Sequence, residues 1–159
     1  MNDKILIGGV IHHPNMCMLE MIGIPDSPGS AGRAFSIFGK KNISLEFISE
    51  TEACDGLSNI TCCFHTNKCD VAKSLHSPIL VATKAQKLKT KCPVEIITIY
   101  GPHFASKPLI AAKFCEALGA MNINMLGITT SINSITCVIH SDYHDLAHKA
   151  IQDNFIFPQ

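Results

Sequence analysis

The 159 residues carry 13 basic and 13 acidic side chains, so the formal net charge is zero, and Arg33 is the only arginine. That balance leaves out the electrostatic footprint of a nucleic-acid or acidic-membrane binder. Hydrophobic residues make up 47% and charged residues 16%, enough for one ordinary core or two small ones of about 75 residues each. No stretch reaches the roughly 18 continuous apolar residues of a membrane span, and Met1 to Lys4 does not open a secretion signal. A soluble, cytoplasmic protein is expected. Its eight cysteines, with no Cys-x-x-Cys pair, read as reduced thiols rather than a disulfide framework.

In chain order, Ile5 to His12 reads as an orphan apolar strand, and Met18 to Ile24 as a second one. Ser27 is placed to cap a helix, with Pro28 in the first turn where its missing N–H costs nothing. Ala31, Phe35 and Phe38 supply the apolar stripe. Asn42-Ile43 turns the chain into the next strand, Glu50 to Gly56 reads as a loop, and Leu57 to His65 as a strand before a helix beginning near Asn67. Ser77 to Lys91 shows no clear period, although it must hold a closing strand and a connection. Val94 to Tyr100 alternates, with Val94, Ile96, Thr98 and Tyr100 on one face and Glu95, Ile97 and Ile99 on the other. A helix with the stripe Ile110, Phe114, Leu118 and Met121 follows, then Asn122-Ile123, a strand from Asn133 to His140 and a helix near Asp142. Phe155 to Gln159 is too short for a good strand.

The second half repeats the first. Pro28/Pro108, Ala31/Ala111, Gly39/Gly119, Asn42/Asn122, Ile43/Ile123 and Ile48/Ile128 are identical in one register. Ile60/Ile135, Thr61/Thr136, Cys62/Cys137, His65/His140, Asp70/Asp145 and Ala72/Ala147 are identical in a second. The change of register falls at the loop of residues 50–56. Two registers kept across successive elements mark a duplication. Each copy reads strand–helix–strand–strand–helix and needs a fourth strand, so the fold class is α+β, two ferredoxin-like βαββαβ domains. The helices of such a domain cover one sheet face and leave the other free for pairing. The C-terminal copy lacks a closing strand and the N-terminal strand lacks a domain. The simplest assignment is interleaved: residues 15–92 form the first domain, and 1–14 with 93–159 the second.

The residues themselves resemble tandem ACT domains of aspartate kinase. Gly23-Ile-Pro-Asp26-Ser-Pro28-Gly29-Ser-Ala31 resembles the family's Gly-x-x-Asp-x-Pro-Gly-x-Ala loop, Asn42-Ile-Ser-Leu its Asn-Ile-Asp-Met, and Asp55-Gly-Leu-Ser-Asn-Ile-Thr its Asp-Gly-Thr-Thr-Asp-Ile-Thr. In the second copy, Lys107-Pro-Leu-Ile-Ala-Ala-Lys-Phe-Cys-Glu-Ala-Leu resembles His-Pro-Gly-Val-Ala-Ala-x-Phe-x-Glu-Ala-Leu, and Ile128-Thr-Thr-Ser131 resembles Ile-Ser-Thr-Ser. The likeness runs over nearly the whole chain.

This resemblance implies a regulatory module without a catalytic domain and without a cofactor. It also implies a homodimer that binds an amino acid such as lysine or threonine and acts on a separate aspartate-kinase-like catalytic chain. Carried over residue by residue, the effector would meet Asp26, Ser27, Gly29, Ser30 and Ala31 of the first copy, and Ile110, Asn124 and Met125 of the second. Ile48 and Ser49, which stand where the family has a Gln-Asn pair, would also line the site; Leu109 and Ile132 replace a family Gly and Glu. The chemistry fits: a helix N-terminus offers unpaired N–H groups to a carboxylate, and Asp26 offers a counter-charge to an ammonium. The alternatives are a non-binding dimerisation or assembly module and a thiol or metal sensor.

Other candidates are read more plainly. The loop from Gly101 to Pro108, with His103, Ser106 and Lys107, reads as inert rather than as a second site. Cys62 and Cys63 are neighbours in a strand and point to opposite faces, so with Cys69, His12, His13 and His65 they read as buried thiols and surface histidines. His140, His144 and His148, four apart along a helix, read as a solvated face. Motifs of nucleophilic, phosphate-binding or zinc-protease chemistry do not occur, and no metal ligand is assigned.

Overall fold

The computed structural model describes residues 4–102 and 104–158. Its strands and helices, in chain order, are β1 (Ile5–Leu6), β2 (Gly9–Pro25), α1 (Ser30–Lys40), β3 (Phe47–Glu52), β4 (Leu57–His65), α2 (Cys69–Ser74), α3 (His76–Thr83), β5 (Lys87–Tyr100), α4 (Ile110–Ala120), β6 (Gly127–Thr130), β7 (Ser134–His140), α5 (His144–Asn154) and β8 (Phe155–Ile156). The chain divides into two units: Asn15–Pro93, and the residues up to Pro14 with those from Val94 onward. The division cuts both long strands, β2 and β5, so each contributes residues to both units.

In Asn15–Pro93 the strand order is β3-β4-β2-β5. β4 pairs antiparallel with β2 (Met16 opposite His65, Met21 opposite Ile60) and with β3 (Phe47 opposite Cys63, Glu52 opposite Ser58). In the other unit the order is β6-β7-β5-β2, with Val94 opposite His140 and Ile128 opposite Cys137. Counted from each unit's own first strand, both orders place the third strand between the first and second and the fourth beside the first. That is the ferredoxin-like plan. β1 and β8 add a short parallel pair, Ile5 with Phe155 and Leu6 with Ile156. The tail thus does form a strand: two residues suffice because Ile7 N–H also donates to Ile156 O at 2.8 Å.

The helices pack on one face of each sheet. In Asn15–Pro93, Ala34 and Phe38 of α1 and Ile79 of α3 close over Leu19, Met21, Ile60 and Cys62. In the other unit, Ile110, Phe114 and Leu118 of α4 and Ala147 and Ile151 of α5 close over Ile97, Ile99, Cys137 and Ile139. On the opposite sheet face, Met18 and Cys63 in one unit, and Ile96 and Val138 in the other, are buried as well.

The paired asparagines have a conformational cause. Asn42 and Asn122 follow α1 and α4 with φ of 54° and 57°, a left-handed conformation that asparagine tolerates. Ile43 N–H then donates to Phe38 O at 3.1 Å and Asn42 N–H to Gly39 O at 3.0 Å. Ile123 and Asn122 repeat this on Leu118 and Gly119 at 3.1 and 2.8 Å. Both helices therefore end in a Schellman motif that tucks an isoleucine against the core. The predicted Ser27 cap does not form: Gly29, at φ 88°, is the N-cap residue and no side chain caps the helix. The Ser27 hydroxyl is instead drawn into contact with Ser30 and Arg33. The unreadable segment from Ser77 to Lys91 holds most of α3, where Pro78 sits harmlessly in the first turn, and the start of β5.

Candidate functional site

The loop between β2 and α1 shapes a surface pocket of about 410 Å³ lined by Asp26, Ser27, Pro28, Gly29, Ser30, Ala31 and Glu50. Asp26 N–H donates to Gly56 O at 2.9 Å and fixes the loop to the β3–β4 turn. Ser30 Oγ donates to Ser27 O at 2.9 Å, and Arg33 Nη2 donates to Ser27 Oγ at 3.1 Å and to Ser30 Oγ at 2.9 Å. The pocket thus combines two carboxylates with the uncapped N-terminus of an 11-residue helix, whose partial positive charge faces the loop.

Of the seven first-copy residues predicted from the sequence, Asp26, Ser27, Gly29, Ser30 and Ala31 line this pocket, and Ile48 and Ser49 do not. Ile48 and Ser49 lie on β3, with Ile48 44% exposed and opposite Cys62. The second-copy residues belong to the other unit. Ile110 begins α4 and is buried in that core, Asn124 is exposed, and Met125 is half-buried against the core. That unit has its own pocket of about 220 Å³, lined by Phe104, Lys107, Pro108, Ile110, Ala111, Thr130, Ser131 and Ile135. Pro108, Ile110, Ala111 and Thr130 are the repeat partners of Pro28, Ser30, Ala31 and Glu50, so the duplication preserves the pocket but not its acidity. Lys107 Nζ donates to Leu6 O at 2.9 Å. His103 lies outside the described residues.

Among the described residues, two clusters of ligating side chains lie elsewhere. In the unit that includes Val94 onward, the buried Glu95 carboxylate accepts from His12 Nδ1 at 2.7 Å and from His144 Nδ1 at 2.8 Å. His148 Nδ1 lies 3.4 Å from His12 Nε2, and Gln152 Nε2 lies 2.8 Å from His148 Nε2. Burial pushes the Glu95 carboxyl up. Hydrogen bonds from His12 and His144, with the positive charge those rings carry when protonated, more than offset this and hold it below the usual carboxylate range. In Asn15–Pro93, Cys17 Sγ contacts both Cys69 Sγ and Cys92 Sγ, and the latter two sulfurs are 3.7 Å apart.

Residues 97–155 match the family model of the ACT domain. This region is similar to an ACT domain. The aspartate kinase of Pseudomonas fluorescens (strain SBW25) is 25% identical over 153 residues, 96% of this chain and 37% of that protein. An aspartokinase of Corynebacterium glutamicum is 26% identical over 159 residues, 96% of this chain and again 37% of its own length. The chain therefore spans little more than a third of these relatives. Among solved structures, the ligand-free regulatory subunit of aspartate kinase from Thermus thermophilus superposes with a TM-score of 0.84 at 23% identity, covering 94% of this chain and 99% of that one. Aspartate kinase from Synechocystis gives 0.85 at 21% identity, over 96% of this chain and 28% of that one. No described helix is long and apolar enough to cross a membrane.

The sequence reading missed both ligating clusters. His144 and His148 do not form a solvated face with His140. They turn toward Glu95 and His12, while His140 Nδ1 accepts from Asp142 N–H at 3.4 Å. The grouping of Cys62, Cys63 and Cys69 also dissolves, because Cys62 and Cys63 are buried apart from the sulfur cluster that holds Cys69. One member of each cluster, His12 or Cys92, comes from its unit's closing strand.

Proposed function

We propose that the chain is a non-catalytic regulatory module of the aspartate-kinase type, which binds an amino acid at the pocket of Asp26, Ser27, Gly29, Ser30 and Ala31. The observation that carries this reading is the pairing of two carboxylates, Asp26 and Glu50, with an uncapped helix N-terminus in one pocket. An amino acid's carboxylate suits the helix end and its ammonium suits a carboxylate. The second carboxylate favours lysine, whose side chain carries another ammonium, over threonine. The module would work in the cytoplasm as a homodimer and convey effector binding to a separate kinase-like catalytic chain.

Thermal unfolding and calorimetry with each of the twenty amino acids test this. Lysine at about a hundred times its dissociation constant should stabilise the chain by about 2.7 kcal/mol. Asp26→Asn and Glu50→Gln should each weaken it. Absence of stabilisation by any amino acid would leave assembly alone as the role.

A further inference from the structure

We propose that His12, Glu95 and His144 form a binding site for a divalent transition-metal ion of the zinc class, with His148 as its positioning residue. The donor set comes first. Two imidazole nitrogens and one carboxylate oxygen lie within 4.8 Å of one another, a combination that suits a borderline-soft ion and leaves a coordination position open. Glu95 is 1% exposed, and its charge is set against imidazoles that carry a full positive charge only when protonated. A divalent ion would neutralise that carboxylate where solvent does not reach. His144, by contrast, keeps 49% of its side chain exposed, so an ion has a route in.

The surrounding hydrogen bonds follow the pattern of a supported ligand. His148 approaches the ring nitrogen of His12 that faces away from Glu95, and Gln152 holds His148 in turn. Such an outer partner fixes the orientation of a coordinating ring. The ring centroids of His144 and His148 stand 5.2 and 5.4 Å from that of His12.

The second observation is independent of these distances. The two repeats carry ligating residues at the same three places in the fold. Cys69 opens α2 and His144 opens α5, each after a single 3-10 turn. Cys17 and Glu95 each follow the strand residue that pairs with the histidine ahead of that turn, Met16 with His65 and Val94 with His140. Cys92 and His12 both lie on their unit's closing strand. One repeat therefore fills the three positions with thiols and the other with nitrogen and oxygen donors. A merely space-filling role does not call for ligating types at all six.

The test uses the whole chain, stripped of metal by chelation and titrated with Zn2+ by calorimetry and with Co2+ by visible absorption. The expected result is uptake that His144→Ala and Glu95→Gln abolish and that His148→Ala weakens about 10- to 100-fold. A Cys69→Ser/Cys92→Ser variant should keep this uptake, and its Co2+ spectrum should lack a thiolate charge-transfer band. Far-UV circular dichroism checks that each variant is folded, and His144→Ala, altering a half-exposed residue, serves if Glu95→Gln is not. No uptake of Zn2+, uptake unchanged in His144→Ala, or uptake lost only with the cysteines would overturn the proposal.

Discussion

His65 and His140 close the same turn in the two repeats. Each accepts a hydrogen bond on Nδ1 from the backbone N–H two residues on, Asn67 at 3.2 Å and Asp142 at 3.4 Å. The histidine therefore serves as the N-cap of the 3-10 turn that launches α2 or α5, in place of the usual Ser, Thr or Asp. His65→Ala should cost about 1 kcal/mol, read as a lower denaturant midpoint at unchanged slope. His65→Asn, which retains a short acceptor, should recover most of it.

The core makes a larger demand. Phe38 and Phe114 are each fully buried, and their rings stand 6.1 Å from Phe64 and 6.5 Å from Phe155. Truncating either to alanine should cost about 3–5 kcal/mol, against a total stability of about 5–15 kcal/mol for a typical domain. Phe35, on the same helix but only half-buried, should cost clearly less. Urea unfolding followed by circular dichroism separates the three variants.

The contrast between Phe38 and Phe35 also marks what could be read from the sequence. The 3.6-residue stripe of α1 and α4, the paired Asn-Ile turns and the loop of residues 26–31 are local signals, and the structure follows them. What stayed illegible is non-local. Cys17 meets Cys69 and Cys92, and His12 meets Glu95 and His144, through strand neighbours far apart in the chain. No spacing encodes such a meeting. The repeat alignment did contain a hint, since Cys69 and His144 are partners in the second register, but it carried no meaning until the closing strands were placed.

The buried thiols should make the protein sensitive to alkali. Burial pushes the thiols of Cys62 and Cys137 up to about 12 from an ordinary value of 9.0, and raises Cys63 further with help from the neighbouring Cys62. Above pH 9 the unfolded chain gives up these protons while the folded chain keeps them, so stability falls as pH rises. Each thiol contributes a slope of about 1.4 kcal/mol per pH unit until its folded value is reached. Denaturant unfolding across that interval should show the decline, and Cys137→Val should make it shallower. At neutral pH a thiol reagent should label exposed Cys54 quickly and reach these three at the rate of unfolding.

Two glycines, one just before α1 and one inside it, should respond to alanine with opposite signs. Gly29 has φ 88°, where an L side chain costs about 1–2 kcal/mol whatever the space around it. Gly32 lies inside α1, and a Cβ added there meets nothing within 4 Å. Gly32→Ala should therefore stabilise the chain by about 0.5–1 kcal/mol, because the unfolded state loses freedom and the helix gains a better former. Gly29→Ala should lower the melting temperature and also distort the pocket of Asp26 and Glu50, so that lysine stabilises this variant less than the parent. Equal and small effects at both positions would mean that the loop before α1 does not hold the left-handed turn on which the pocket's shape depends.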